Sequence, residues 1–278
     1  MSKILIVFPV YNEEDILEKN CLKVFDFCKQ FYQVNDQVPP DHTDYRDSGY
    51  AGGLPLNHLK DYDFDFVIAD NGSTDKTSEI AEKLNQQYPE IKYLFLQKSG
   101  KKGGAIKNAW QKFSADYYVF MDIDLSTDLN ALPILISELK NGADLVIGSR
   151  YLKDSQIKRS LVRLFVSKIY NLFIKLFFHC PLHDLANGFK GANKKIIQEI
   201  LPLTKNEKWF FDSELTLLSF IKKYKIKEIP VKWNDARKIF QKQTRRFRRE
   251  KSKVKVINVS IEYLKEIFNL WKSNKKIV

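Results

Sequence analysis

Cysteine, methionine and long apolar runs are what this sequence has least of. Its three cysteines, Cys21, Cys28 and Cys180, are an odd set without close spacing, which excludes a disulfide framework and fits a reducing compartment. No signal-peptide pattern precedes the first apolar run, Ile4-Leu5-Ile6-Val7-Phe8, so a cytoplasmic protein is expected. No stretch reaches the roughly eighteen uncharged apolar residues that a membrane-crossing helix needs. The most apolar segment, Leu161 to Cys180, is interrupted by Arg163, Lys168 and Lys175. Eleven glycines and nine prolines in 278 residues are too few for a collagen-like or low-complexity chain.

What is there reads as a folded protein: 44% apolar, 13% aromatic and 29% charged residues, over a length that allows about two folding units at most. Charge is distributed unevenly. Up to Ser149 the chain carries 15 basic and 23 acidic residues, a net −8, and from Arg150 onward 31 basic and 11 acidic, a net +20. Such asymmetry points to an anionic partner for the second half, with a solvated charged face as the plainer explanation.

Short β-rich runs at Ile4 to Phe8, Phe64 to Ala69, Tyr93 to Leu96, Tyr117 to Met121 and Leu145 to Ile147 alternate with helical spacing at Glu13 to Phe31, Thr74 to Tyr88, Lys102 to Phe113 and Leu129 to Leu139. Ser73 and Asp128 are candidate helix caps. This alternation predicts an α/β fold with a mainly parallel sheet, in which ligands bind beyond the carboxyl ends of the strands. Between residues 33 and 63, Pro39-Pro40, Gly49, Gly52-Gly53 and Pro55 predict a long loop insertion.

The residues after each strand are therefore the ones to search. Pro9-Val10-Tyr11-Asn12-Glu13-Glu14 follows the first and Asp70-Asn71-Gly72-Ser73 the second, where Gly72 permits a tight turn. Gly100-Lys101-Lys102-Gly103-Gly104-Ala105 opens a helix. It lacks the ending of a P-loop and the spacing of a dinucleotide fingerprint, but its glycines and lysines suit a nucleotide or phosphate site. After the fourth strand, Asp122-Ile123-Asp124 sets two carboxylates at i and i+2. Hard oxygen ligands of this kind suit Mg2+ or Mn2+ bridging a diphosphate, and the apolar strand Tyr118-Val119-Phe120-Met121 is an expensive place to end in unpaired charges. His179, Cys180 and His183 have no second matching cluster, so ordinary packing is expected there rather than zinc.

Taken in order, Pro9-Val10-Tyr11-Asn12-Glu13, Asp70-Asn71-Gly72-Ser73, Lys102-Gly103-Gly104-Ala105 and Asp122-Ile123-Asp124 resemble glycosyltransferase family 2. Further on, Gly148-Ser149-Arg150-Tyr151, Arg163 with Ser167, Asp184 with Gly188-Phe189-Lys190, Trp209-Phe210-Phe211-Asp212-Ser213-Glu214-Leu215 and Glu228-Ile229-Pro230-Val231-Lys232-Trp233 resemble its polyprenyl-phosphate hexosyltransferase branch, glucosyl-type more than mannosyl-type. The resemblance implies a GT-A type nucleotide-sugar-binding domain over residues 1–233, followed over 234–278 by a basic insertion and an amphipathic helix that face the membrane. It implies that Pro9, Tyr11, Glu13 and Asp70, joined by Lys102 and Asp122, hold the nucleotide. Asp124 and Asp122 would hold the metal, and Arg150, Arg163 and Ser167 the acceptor phosphate. Asp122, Asp124, Arg150, Arg163 and Asp212 are the expected catalytic set.

The expected reaction is inverting transfer of a hexose from UDP-glucose, or alternatively GDP-mannose, to a dolichyl or undecaprenyl phosphate on the cytoplasmic membrane face. A family 2 transferase acting on a soluble glycan is one rival. A non-catalytic polyanion-binding protein is another, suggested by Arg245-Arg246-Phe247-Arg248-Arg249; no nucleic-acid module accompanies that run, so no nucleic-acid partner is expected. Ile257, Ile261, Leu264, Phe268 and Trp271 recur at helical spacing and predict an apolar face for lipid, for the protein core or for a homo-oligomer.

Overall fold

A computed structural model describes residues 1–33, 62–97, 101–158, 161–234 and 251–274. Most of the expected loop insertion between 33 and 63, and the basic run from 235 to 250, lie outside the described residues. The first half alternates as its pattern predicts: β1 (Ser2–Val10), α1 (Leu17–Gln33), β2 (Tyr62–Asp70), α2 (Thr77–Gln87), β3 (Ile91–Phe95), α3 (Lys102–Lys112), β4 (Tyr117–Met121), α4 (Ala131–Lys140) and β5 (Leu145–Ser149). The second half contributes β6 (Gln156–Lys158), α5 (Leu161–Phe178), β7 (Phe189–Asn193), α6 (Phe211–Ile221), β8 (Ile226–Pro230), β9 (Lys232–Asn234) and α7 (Lys251–Asn274).

Seven strands form one sheet in the order β3-β2-β1-β4-β7-β5-β8, while β6 and β9 pair separately. All neighbours in the large sheet run parallel except β7, which lies antiparallel between β4 and β5. Strand alternation sorts the core into two layers. Ile4, Ile6 and Phe8 face α1, α2 and α4, whereas Leu5 and Val7 face α3 and α6. A strand buried on both faces reads as a continuous apolar run, which is why β1 is so legible. A third cluster joins α5, α6 and α7 around Ile174, Phe178, Leu217 and Ile267. The three cysteines are free and buried, and burial pushes their thiols up, Cys21 to about 12.

Two expectations need correction. Strand β7 was not among the predicted runs, because Phe189-Lys190-Gly191-Ala192-Asn193 has neither β-branched residues nor alternation. Ser73 and Asp128 do not cap their helices; α2 starts after Lys76 and α4 after Asn130, and neither has a side-chain cap. The chain turns instead through local bonds, Asp75 Oδ1 accepting from Thr77 N and Asp128 Oδ1 from Asn130 N. Of the three surfaces left open for the apolar face of α7, the described part of that face meets the protein core. Ile267 is wholly buried, and Leu264 and Trp271 pack on the α5 cluster, leaving Phe268 half exposed. The side chains of Ile257 and Ile261 lie outside the described residues.

The two glycines that open α3 differ in their surroundings. A Cβ on Gly103 would stand 2.8 Å from Phe211 Cγ and 2.9 Å from the Lys208 carbonyl, whereas on Gly104 its nearest neighbour is 3.5 Å away. Gly103→Ala should therefore destabilise by about 1–3 kcal/mol, overpacking outweighing the gain in helix propensity. Gly104→Ala should be neutral, or stabilising by up to about 1 kcal/mol. Urea denaturation of the two variants checks both signs.

Candidate active site

Parallel pairing in register brings the ends of β1 and β2 side by side, Val10 opposite Asp70. The loops beyond them interlock. Asn12, in the left-handed region at φ 55°, donates its N–H to Ser73 Oγ and accepts from Thr74 N, while Glu13 N donates to Thr77 Oγ1. Gly72, at φ 76°, makes the turn. Asp70 is wholly buried, and its carboxylate accepts from Ser73 N, Ser78 Oγ and the Tyr93 hydroxyl. Burial pushes the Tyr93 phenol up to about 12, Ser78 opposing and Asp70 adding to the shift. In this conformation Asp70 shapes the turn from below, and it is Tyr11, 42% exposed, that stands open to solvent above.

The exit of β4 carries the carboxylate pair. Asp124 Oδ1 accepts from Ser126 N, and Leu125 at φ 50° bends the chain. Asp122 Oδ1 lies 2.7 Å from Lys102 Nζ, and that ammonium also reaches Asp212 Oδ2 at 3.1 Å. Burial works against the charge on Lys102, but Asp122 and Asp212 outweigh it and hold the group above the ordinary lysine value. Burial in turn raises the Asp212 carboxyl, against the pull of Lys102 and Lys190. Gly188 leaves the space: a Cβ there would lie 2.7 Å from Lys102 Nζ and inside contact distance of Asp122 Oδ2.

The glycine-rich opening of α3 does not present its amides to a phosphate. Gly103 N donates to Lys208 O and Gly104 N to Glu207 O, so these two glycines form a packing joint, and among the described residues of the run Lys102 is the one that reaches the carboxylates. Among the described residues no group of three or more His, Cys, Asp or Glu is gathered to hold a metal. Asp122 and Asp124 nevertheless fit a hard divalent cation that takes its remaining ligands from substrate oxygens and water. Close by, Asp212 Oδ1, Ser149 Oγ and Tyr151 Oη are buried without a hydrogen-bond partner, the condition expected where a polar ligand completes a site.

Across β7 lies a second, cationic region. Arg150, at the end of β5, is buried and bidentate to Asp184, Nε to Oδ2 at 2.6 Å and Nη2 to Oδ1 at 2.8 Å, with its backbone N–H on the same carboxylate. Its guanidinium stands 5.5 Å from the Trp233 ring centre. Burial opposes its charge and Asp184 more than restores it. Two guanidinium nitrogens are thus committed inside the protein, which makes Arg150 a fixed cation rather than a mobile clamp. Ser167 lies on α5, as does Arg163, whose side chain falls outside the described residues. In the segment that holds the histidines, His183 Nδ1 lies 2.7 Å from Glu228 Oε2, and Asp184 pairs with Arg150.

Two residues of the site had no assigned role in the sequence. Lys190 is wholly buried and donates to the carbonyls of Leu185 and Asn187; burial lowers it to about 8, Asp212 and Asp184 opposing. It holds the loop between Asp184 and Gly188, and its only signal was a lysine inside Gly188-Phe189-Lys190. Asp184 is the other, identified by the acid it presents to Arg150.

Several proteins are similar to this chain. Dolichyl-phosphate beta-glucosyltransferase of Saccharomyces cerevisiae is 27% identical over 191 residues, 62% of this chain and 57% of that protein. Dolichol-phosphate mannosyltransferase of Pyrococcus furiosus is 29% identical over 201 residues, 71% of this chain and 48% of its own. The chain thus spans about half the length of these curated relatives. Among solved structures, glucosyl-3-phosphoglycerate synthase from Mycobacterium tuberculosis in complex with uridine diphosphate superposes with a TM-score of 0.63 at 16% identity, over 98% of this chain and 80% of that one. That likeness shows a shared GT-A-like α/β fold. The model of the family described as glycosyl transferase family 2 matches residues 56–201, more than half of the sequence, and the chain belongs to that family.

Proposed function

We propose that the chain is an inverting hexosyltransferase that moves glucose from UDP-glucose to a polyprenyl phosphate, with Mg2+ or Mn2+. The observation that carries this reading is the Asp122 and Asp124 pair at the exit of β4, set between the interlocked β1 and β2 turns and the cationic region around Arg150. The metal, when bound by Asp122 and Asp124, supplies positive charge for the departing nucleotide diphosphate. Pro9, Tyr11, Glu13 and the turn shaped by Asp70 take the nucleoside. Lys102, itself buried, keeps a proton at Nζ and so balances half-exposed Asp122 and buried Asp212.

A lipid phosphate is already anionic at neutral pH, so the acceptor needs positioning more than deprotonation. Arg150, Arg163 and Ser167 provide it in this reading, and the engagement of Asp212 by Lys102 fits a reaction that does without a strong base. The relatives' names support hexose transfer to dolichyl phosphate, one naming glucose and the other mannose. Structures of the mycobacterial synthase with Mn2+ and UDP-glucose support the donor and metal class.

The acceptor lies in a bilayer, and we place the enzyme on its cytoplasmic face. No described helix is long and apolar enough to cross a membrane. On α5, however, Ile169, Leu172 and Leu176 recur on one face, the last two 54% and 63% exposed, with Lys168 and Lys175 also exposed beside them. Half-exposed Phe268 of α7 joins through its ring contact with Phe177. An apolar ridge flanked by cations suits an anionic interface, each cation contributing about 1 kcal/mol.

Calorimetry with metal should show UDP-glucose binding more tightly than GDP-mannose; binding of GDP-mannose alone would reverse the donor assignment. Asp124→Ala should lower hexose transfer by roughly a thousandfold with an unchanged circular dichroism spectrum, since it removes several kcal/mol of charge stabilisation. Turnover near the parent rate would reject the metal role. Arg163→Ala should raise the KM for polyprenyl phosphate by roughly tenfold or more while nucleotide affinity stays put, as expected for a lost charge-assisted bond. In flotation assays Leu172→Ser with Leu176→Ser should abolish binding to anionic liposomes at low salt, and equal flotation of parent and variant would remove the ridge from the membrane contact.

A further inference from the structure

Trp209 is the one large apolar residue of Trp209-Phe210-Phe211 that the fold leaves open: it is 47% exposed, while Phe210 and Phe211 are buried. An exposed indole on a surface loop is unremarkable by itself. This loop, however, is tied down by backbone bonds in which the indole takes no part. Glu214 accepts from Lys205 N and Asn206 N, Glu207 O and Lys208 O accept from the first amides of α3, and Trp209 O accepts from the Tyr263 hydroxyl of α7. Lys208 also pairs with Glu262 of α7. Fixing so much backbone around a half-exposed tryptophan is what pre-organising a contact surface requires.

The position of the ring identifies what it faces. Lys102 Nζ lies 5.5 Å from the Trp209 ring centre and 2.7 Å from Asp122 Oδ1. One ammonium therefore links the indole to Asp122, one of the two carboxylates assigned to the donor diphosphate. The group bonded directly to that diphosphate is the hexosyl ring, whose C–H faces are apolar and whose edges carry hydroxyls. A flat aromatic surface takes the former, while Asp212 Oδ1, buried and without a partner beside Lys102, offers an acceptor to the latter.

We propose that Trp209 is the platform on which the hexosyl ring of the donor stacks, held in place from the C-terminal helix through Tyr263. This rests on the donor site proposed above. Because the loop backbone is fixed by its own bonds, truncating the half-exposed side chain leaves the fold intact, which thermal unfolding checks.

The test is calorimetric titration of the full chain with UDP and with UDP-glucose in Mn2+, comparing the parent with Trp209→Leu and Trp209→Phe. Trp209→Leu should weaken UDP-glucose by about tenfold, a loss of about 1.4 kcal/mol, and UDP by less than about twofold. Trp209→Phe, which keeps an aromatic face, should recover most of that loss. Equal weakening of UDP and UDP-glucose, or no weakening of either, would overturn the platform while leaving the nucleotide site standing. Failure of the parent to bind either ligand would overturn the donor reading and the platform with it. Where the parent prefers GDP-mannose, the same comparison is made with GDP and GDP-mannose, and the same two outcomes decide.

Discussion

The arrangement around Lys102 is the constraint on which the rest of the site depends. A buried ammonium is costly unless opposite charge compensates it, and here two carboxylates from distant parts of the chain share it, Asp122 from the end of β4 and Asp212 from the first turn of α6. Removing the cation would leave Asp212 charged and buried with neither oxygen ion-paired, the situation in which breaking a buried pair costs about 3–5 kcal/mol. The backbone enforces the same geometry. The two amides after Lys102 are bonded to the loop before α6, and Gly103 lets Phe211 approach more closely than any side chain would permit. Packing of α3 against α6 and placement of the carboxylates are therefore a single structural event.

The second half of the site is built by one antiparallel strand. By entering between β4 and β5 in the opposite direction, β7 starts where they end, which brings Gly188 against Asp122 and the loop from Asp184 beside Arg150. A switch in strand order within the sheet is where α/β proteins form crevices, beyond the carboxyl ends of the strands. Here it is occupied by a charge network: Arg150 on Asp184, Lys190 on the carbonyls of the same loop, and Glu228 accepting from the amides of His183 and Asp184. In this network each charge is met by an opposite charge or by backbone groups, as burial demands.

The C-terminal helix has two loyalties. Its Ile267, Leu264 and Trp271 complete a core with α5, while Tyr263 and Glu262 reach the loop that carries Trp209. The same helix thus joins the exposed apolar ridge of α5 to the loop that carries the indole, so that the two share one element.

Sequence alone determined whatever depends on local periodicity and on short range. The strands β1 and β4 and the second half of β2, buried on both faces, are apolar runs, and the helices between them have regular spacing. The ordered acids and glycines after those strands marked the crevice and the family. Tertiary structure decided the rest, because the deciding interactions join residues far apart in the chain. Nothing in Phe189-Lys190-Gly191-Ala192-Asn193 announces a strand until β4 and β5 supply partners for its backbone. The glycines of α3 suited a phosphate until the loop from residue 205 claimed their amides, and Asp70 suited a ligand until Ser78 and Tyr93 claimed its carboxylate. Whether a polar group is free for a ligand is settled by its distant neighbours, and a one-dimensional pattern carries no record of them.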